Sequence, residues 1–186
     1  MPAKASVITA LGYALLGLVH GKAQSGYALR KVFETTPLGN YSSSPGSIYP
    51  ALKNLQKAGL VEQRPDAAGK NVFAMTPAGE AALNDWLARP VTGDDFARDM
   101  GTLLLRFALL QGHPDRRLTL DFLRSFEAAG RLQVAGLQAF IDSELCRSLP
   151  LQSRLAVDHG LRGAQASTQW ATNALSALLS EGETKS

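Results

Sequence analysis

The sequence predicts a mainly α protein in two parts: a small domain with a two-stranded hairpin over residues 1–90, and an all-helical arm over residues 91–186. Three observations lead there. Capped helical patterns alternate with short turns as far as Trp86-Leu87. Two β-rich runs, Leu60 to Gln63 and Asn71 to Met75, flank a stretch holding Pro65, Asp66 and Gly69. Beyond Pro90 to Gly93 no strand signal recurs, and apolar residues repeat at helical spacing almost to the end. The 186 residues, 45% hydrophobic and 19% charged, suit a soluble globular chain.

The first helix carries Ile8, Leu11, Leu15, Leu18 and Val19 at helical spacing, with Ser6 as its expected N-cap. Its apolar run, Val7 to Val19, is too short to span a bilayer, which takes about 20 residues. Lys4 before it and Gly21-Lys22-Ala23 after it give it the outline of a signal peptide, but the helical reading is preferred. His20 to Gln24 read as a turn. Ser25 then caps a second helix running from Gly26 to about Thr35, with Leu29, Val32 and Phe33 on one face. Pro37 to Ser44 read as a loop.

A third helix places Ile48, Leu52 and Leu55 at i, i+4, i+7 and ends at Gly59 in the C′ position. Ser44 or Ser47 can cap it. Capping from Ser47 puts Pro50 in the first turn, where its missing N–H costs nothing. The hairpin follows, with Arg64 to Lys70 as a long tip, and Thr76-Pro77 starts a fourth helix bearing Leu83, Trp86 and Leu87. The arm reads as helices over Asp95 to Gln111, Pro114 to about Leu149, and Leu151 to Leu179. The second and third are long for a globular protein, and their apolar faces call for a partner, most simply a second copy of the chain.

Helix, helix, loop, helix, hairpin, helix is the order of a winged helix-turn-helix, in which the third helix enters the DNA major groove and the hairpin reaches neighbouring backbone. The residues suit those tasks. Ser44, Ser47, Tyr49, Lys53 and Asn54 lie away from Ile48, Leu52 and Leu55, where they can meet base edges and phosphates. Lys70 and Asn71 stand at the hairpin tip, and Tyr27 at the start of helix two is either a packing tyrosine or a phosphate contact. Charge is divided to match: residues 1–90 hold nine Lys or Arg against five Asp or Glu, and residues 91–186 hold ten against eleven.

Several stretches resemble the PadR family of repressors: Leu16-Gly17-Leu18, Ser25-Gly26-Tyr27-Ala28-Leu29, Ser44-Pro45-Gly46-Ser47-Ile48-Tyr49-Pro50-Ala51-Leu52, and Thr76-Pro77-Ala78-Gly79 with Trp86-Leu87. The likeness is strong over about residues 9–88 and weaker through Arg98 and the C-terminal helices, as in the longer members of that family. It implies a cytoplasmic homodimer that binds an inverted-repeat operator in double-stranded DNA and is released by a small molecule, often a phenolic acid. With Ala67 and Ala68 in the tip, the wing is less basic than in many members.

An aromatic anion is expected in a cleft between the two parts, met by Tyr13 and Trp86 and clasped by Arg98 and Arg106, eight residues apart on one helix. The competing reading pairs both arginines with Asp94, Asp95 or Asp99. Enzyme chemistry finds no footing. Gly17, Gly21 and Lys22 miss the phosphate-loop spacing by one residue, and Ala23 stands where a hydroxyl is needed. No Gly-x-Ser-x-Gly elbow occurs, and no catalytic residue, cofactor or membrane partner is expected. His20, His113 and His159 lie far apart, and the single Cys146 completes neither a zinc site nor an intrachain disulfide. The alternative function is a protein-interaction adaptor on the same scaffold.

Overall fold

The computed structural model describes residues 8–36, 38–39, 45–111 and 113–183. They form two compact units, 1–87 and 88–186.

In the first unit α1 spans Ala10–His20 and α2 spans Gly26–Thr35. The predicted cap Ser6 lies outside the described residues. Thr9 does that work: its backbone is extended and its hydroxyl accepts from the Gly12 amide at 3.2 Å, so the helix begins at Ala10. Ser25 caps α2 as expected, accepting from the Ala28 amide at 3.2 Å. A single 3₁₀ turn, Pro45–Ser47, leads into α3, Ile48–Lys57. Ser47 holds the cap position with helical backbone angles and makes no side-chain cap bond, because the preceding turn already curls the chain. Pro50 sits in the first turn, where no amide is needed.

The C-terminus of α3 closes as a Schellman motif. Gly59 takes φ +72°, its amide donates to the Gln56 carbonyl, and the Leu60 amide donates to Leu55, both at 3.0 Å. The chain then enters β1, Val61–Pro65, paired antiparallel with β2, Asn71–Met75, so that Val61 faces Met75 and Pro65 faces Asn71. The strands thus run two residues farther into the predicted tip. Asp66 holds the turn, its carboxylate accepting from the amides of Ala68 and Lys70 at 2.8 and 2.9 Å. Gln24, read from sequence as part of a turn, adds a bridge to the sheet: its amide and carbonyl bond Phe73 at 3.0 and 2.8 Å. Its side chain also donates to the Leu18 carbonyl at the end of α1, at 2.6 Å.

Helix α4 spans Pro77–Leu87. The Thr76 hydroxyl accepts from the Gly79 amide at 3.1 Å and donates to the Gly59 carbonyl at 2.6 Å, tying the start of α4 to the end of α3. Ala14, Leu15, Leu16, Leu29, Ile48 and Leu52 are almost wholly buried and form the core of this unit.

The second unit holds α5 (Gly93–Arg98), α6 (Met100–Leu109), α7 (Arg116–Ile141), α8 (Glu144–Ser148) and α9 (Leu151–Glu183). Two runs expected as single helices are broken. Asp99 ends α5 by donating its amide to Asp95 and starts α6 by accepting from the Thr102 amide, which splits the run from Asp95 to Gln111. Ser143 caps α8 through the Cys146 amide and splits the run from Pro114 to Leu149. The long helices also find a partner within the chain. Helices α7 and α9 pack antiparallel: the Arg116 guanidinium reaches the Leu178 carbonyl, Glu127 accepts from the Thr172 hydroxyl, and Gly130 meets Thr168. Phe96, Phe107, Phe122, Phe126 and Trp170 fill the core, with ring centroids 5.0–5.9 Å apart. Leu132, Leu145, Leu151 and Leu155 nevertheless remain 57–75% exposed.

Candidate nucleic-acid interface

Helix α3 is held by one face. Ile48, Leu52 and Leu55 are at most 5% exposed, so the opposite face is fixed in rotation about the helix axis. On that face Tyr49, Lys53 and Asn54 are exposed, as are Gln56 and Lys57. Ser47, at the helix entrance, is half-buried. Ser44 lies outside the described residues. The exposed strip offers a phenol, an ammonium and two amides, a set that can donate to phosphates and read donor and acceptor patterns on base edges.

The first turn of α2 shapes this surface. A side chain at Gly26 would bring Cβ within 2.7 Å of a ring carbon of Tyr49, so the Tyr49 ring lies directly over the backbone there. Tyr27, beside it, is 62% exposed, and the Arg30 guanidinium lies 5.6 Å from its ring centroid. Arg30 also approaches Glu34 at 3.2 Å, a charge pair whose Nε is not aligned for a hydrogen bond.

In the hairpin Lys70 and Asn71 are exposed, and Asp66 fixes the Lys70 backbone. Arg64 is a cation that the sequence reading left out of the site. Pairing extends through Pro65, so Arg64 is a strand residue opposite Val72, on the same side of β1 as Glu62 at 3.9 Å. Its side chain is 60% exposed. The period-two alternation of β1 was the available signal, obscured by treating Arg64 as loop.

The four residues expected to meet an effector are placed differently from one another. Tyr13 and Trp86 stack face to face, centroids 4.1 Å apart and planes within 5°, and both are buried. Arg98 ends α5 and is exposed, whereas Arg106 on α6 is 4% exposed, so the two do not share a helix. Arg106 donates to the Arg89 carbonyl at 2.6 Å and lies 4.7 Å over the Phe122 ring. Its Nε is buried without a hydrogen-bond partner. Burial lowers its pKa to about 10 against the raising effect of Asp95, with Arg89 lowering it further, so it remains charged at neutral pH. Trp170 is a core residue, edge-on to Phe107 and Phe126. Among the described residues no cluster of His, Cys, Asp and Glu can hold a metal, and no helix is long and apolar enough to cross a membrane.

Residues 15–85 match the transcriptional regulator PadR-like family. The chain is similar to the transcriptional regulator YqjI of Escherichia coli (strain K12), 37% identical over 71 residues that cover 38% of this chain and 34% of that protein. It is similar also to the negative transcriptional regulator PadR of Bacillus subtilis (strain 168), 34% identical over 83 residues, 42% of this chain and 46% of that one. The matches thus span less than half the length of either relative. Among solved structures, that of Bacillus subtilis PadR in complex with operator DNA has 22% identity and a TM-score of 0.41, covering 92% of this chain and 99% of that one.

Proposed function

Residues 15–85 belong to the PadR-like family of transcriptional regulators, and from that premise we propose that the chain is a non-enzymatic homodimeric repressor that binds an inverted-repeat operator. The observation that carries this reading is α3 itself. Its apolar face is buried while Tyr49, Lys53 and Asn54 stand outward on a helix fixed at both ends. In this proposal Ser44, Ser47, Tyr49, Lys53 and Asn54 meet bases and nearby phosphates, while Tyr27, Lys70, Asn71 and Arg64 hold the backbone.

Dimerisation is assigned to unit 2. Pairing of α7 with α9 leaves Leu132, Leu145, Leu151 and Leu155 in water, a set of large apolar side chains that a second copy can cover. Release by a small aromatic effector belongs to the proposal on family resemblance. Tyr13, Trp86 and Arg106 are committed to internal contacts, so Arg98 is the one of the four expected residues with an exposed side chain. A panel of aromatic carboxylates scored by operator release tests that part.

The main test is selection of bound duplexes from a random pool, followed by titration at two salt concentrations. The expected product is an inverted repeat with half-sites about 10 bp or a multiple apart. Affinity should fall by orders of magnitude between about 50 and 200 mM salt. No enriched repeat and no salt dependence would overturn the reading in favour of a protein-interaction scaffold.

A further inference from the structure

One face of α9 in the second unit is left open. A hollow of about 350 Å³ is lined by Phe96, Met100, Gln133, Leu137, His159 and Gly163 among others. A second, of about 340 Å³, is lined by Met100, Leu104, Phe126, Ser167 and Trp170. Met100 and Ser167 border both, so the two are neighbours separated by a flexible thioether side chain. Each has the size of a small-molecule site.

The glycines say why the space is there. Gly130 on α7 is required by packing: a Cβ would lie 2.3 Å from the Thr168 hydroxyl and 2.9 Å from the Phe96 ring. Gly160 and Gly163 on α9 are not, since nothing lies within 4 Å of a Cβ built at either. Interior glycines weaken a helix relative to alanine. Here they relieve no clash within the chain and serve only to widen the first hollow.

The lining selects the chemistry of the occupant. Neither hollow is lined by Lys, Arg, Asp or Glu; the polar side chains present are the Gln133 amide, the His159 imidazole and the Ser167 hydroxyl. A carboxylate entering here would shed water without meeting a counter-ion. Aromatic walls from Phe96, Phe126 and Trp170, with the Met100 sulfur between them, suit the face or edge of a flat ring.

We propose that the hollows beside Met100 form one ligand site for a neutral, flat aromatic compound bearing a hydroxyl or similar uncharged polar group. The site uses none of the residues assigned to DNA, so a chain that binds duplex but not this ligand sinks only this proposal.

Calorimetric titration of the full chain with 2-naphthol and with sodium 2-naphthoate near neutral pH tests it. Saturable binding of 2-naphthol is expected, with the naphthoate weaker by about tenfold or more because its charge is unpaired. Gly163→Leu and Gly160→Leu should each weaken 2-naphthol about tenfold or more while melting no lower than the parent, since each fills open space with a better helix former. Gly136→Ala, also in open space but outside the lining, should raise Tm by about 2 °C and leave the affinity unchanged. Absence of saturable 2-naphthol binding, or naphthoate binding equally well, overturns the proposal on the parent chain alone. So does a folded leucine variant with parental affinity, or one that lowers the mass of the particle by light scattering, which would assign this face to a second copy.

Discussion

At the residue scale the interface separates side chains by the kind of information they can read. Tyr49→Ala should cost about 1–3 kcal/mol of discrimination between an operator and a scrambled duplex, because a hydroxyl near base edges distinguishes sequences. Arg64→Ala and Lys70→Ala should weaken both duplexes alike and each reduce the salt slope by about one, the mark of a lost phosphate contact. Anisotropy titrations of both duplexes decide it, and an Arg64 effect confined to the operator would remove Arg64 from the backbone. Arg106 makes a different prediction. Arg106→Ala opens a cavity under Phe122 and strips the Arg89 carbonyl of its donor, a loss of about 2–4 kcal/mol in urea unfolding. Arg106→Met should cost less, because it fills the space and removes a buried charge whose Nε has no partner. A folded-state pKa of about 10, below the ordinary value of 12.5, means the charge is a cost at every pH below about 10, relieved only as pH rises through that window.

At the element scale the caps were legible and two helix breaks were not. Ser25, Thr76 and Gly59 announce helix ends because hydroxyl caps and left-handed glycines act within one turn of chain. Asp99 and Ser143 sit inside continuous apolar periodicity, and the break appears only because α5 and α8 turn onto α7. Gly79 carries a contact that no local rule announces: a Cβ there would lie 2.0 Å from the Leu60 carbonyl oxygen. Gly79→Ala should therefore destabilise the first unit by about 2–4 kcal/mol, where ordinary helix propensity argues for a gain. Denaturant unfolding of that variant checks the sign.

The α7–α9 pair should be acid-sensitive through Glu127. The Thr172 hydroxyl, and then Arg131, hold its carboxyl below the usual glutamate range. A depressed folded pKa stabilises above the unfolded value, about 4.5, and that contribution is lost as pH falls further through the folded value. Thr172→Val removes the larger cause and should flatten the acid limb of a stability–pH curve, with little change near pH 7.

At the scale of the whole molecule the exposed leucines of unit 2 set the expectation. Light scattering should give a mass near twice 19.8 kDa, and Leu132→Glu with Leu155→Glu should shift it toward one copy while leaving helix content unchanged. A chain that stays monomeric at micromolar concentration would place the operator reading on single half-sites. A doubly substituted chain that stays dimeric would place the interface elsewhere.

The sequence by itself determined the first unit: helix order, hairpin, the buried stripe of α3 and hence the outward position of Tyr49, Lys53 and Asn54. Those features follow from short-range periodicity and capping, which are written in neighbouring residues. Only the tertiary structure decided that α7 and α9 satisfy each other, that Tyr13 and Trp86 spend their ring faces on one another, and that Arg106 turns inward to a backbone carbonyl. Each of these joins residues 17 to 73 positions apart. At such separations many partners satisfy the same pattern of apolar and polar residues, and the choice among them rests on shape and on burial of the last polar atom.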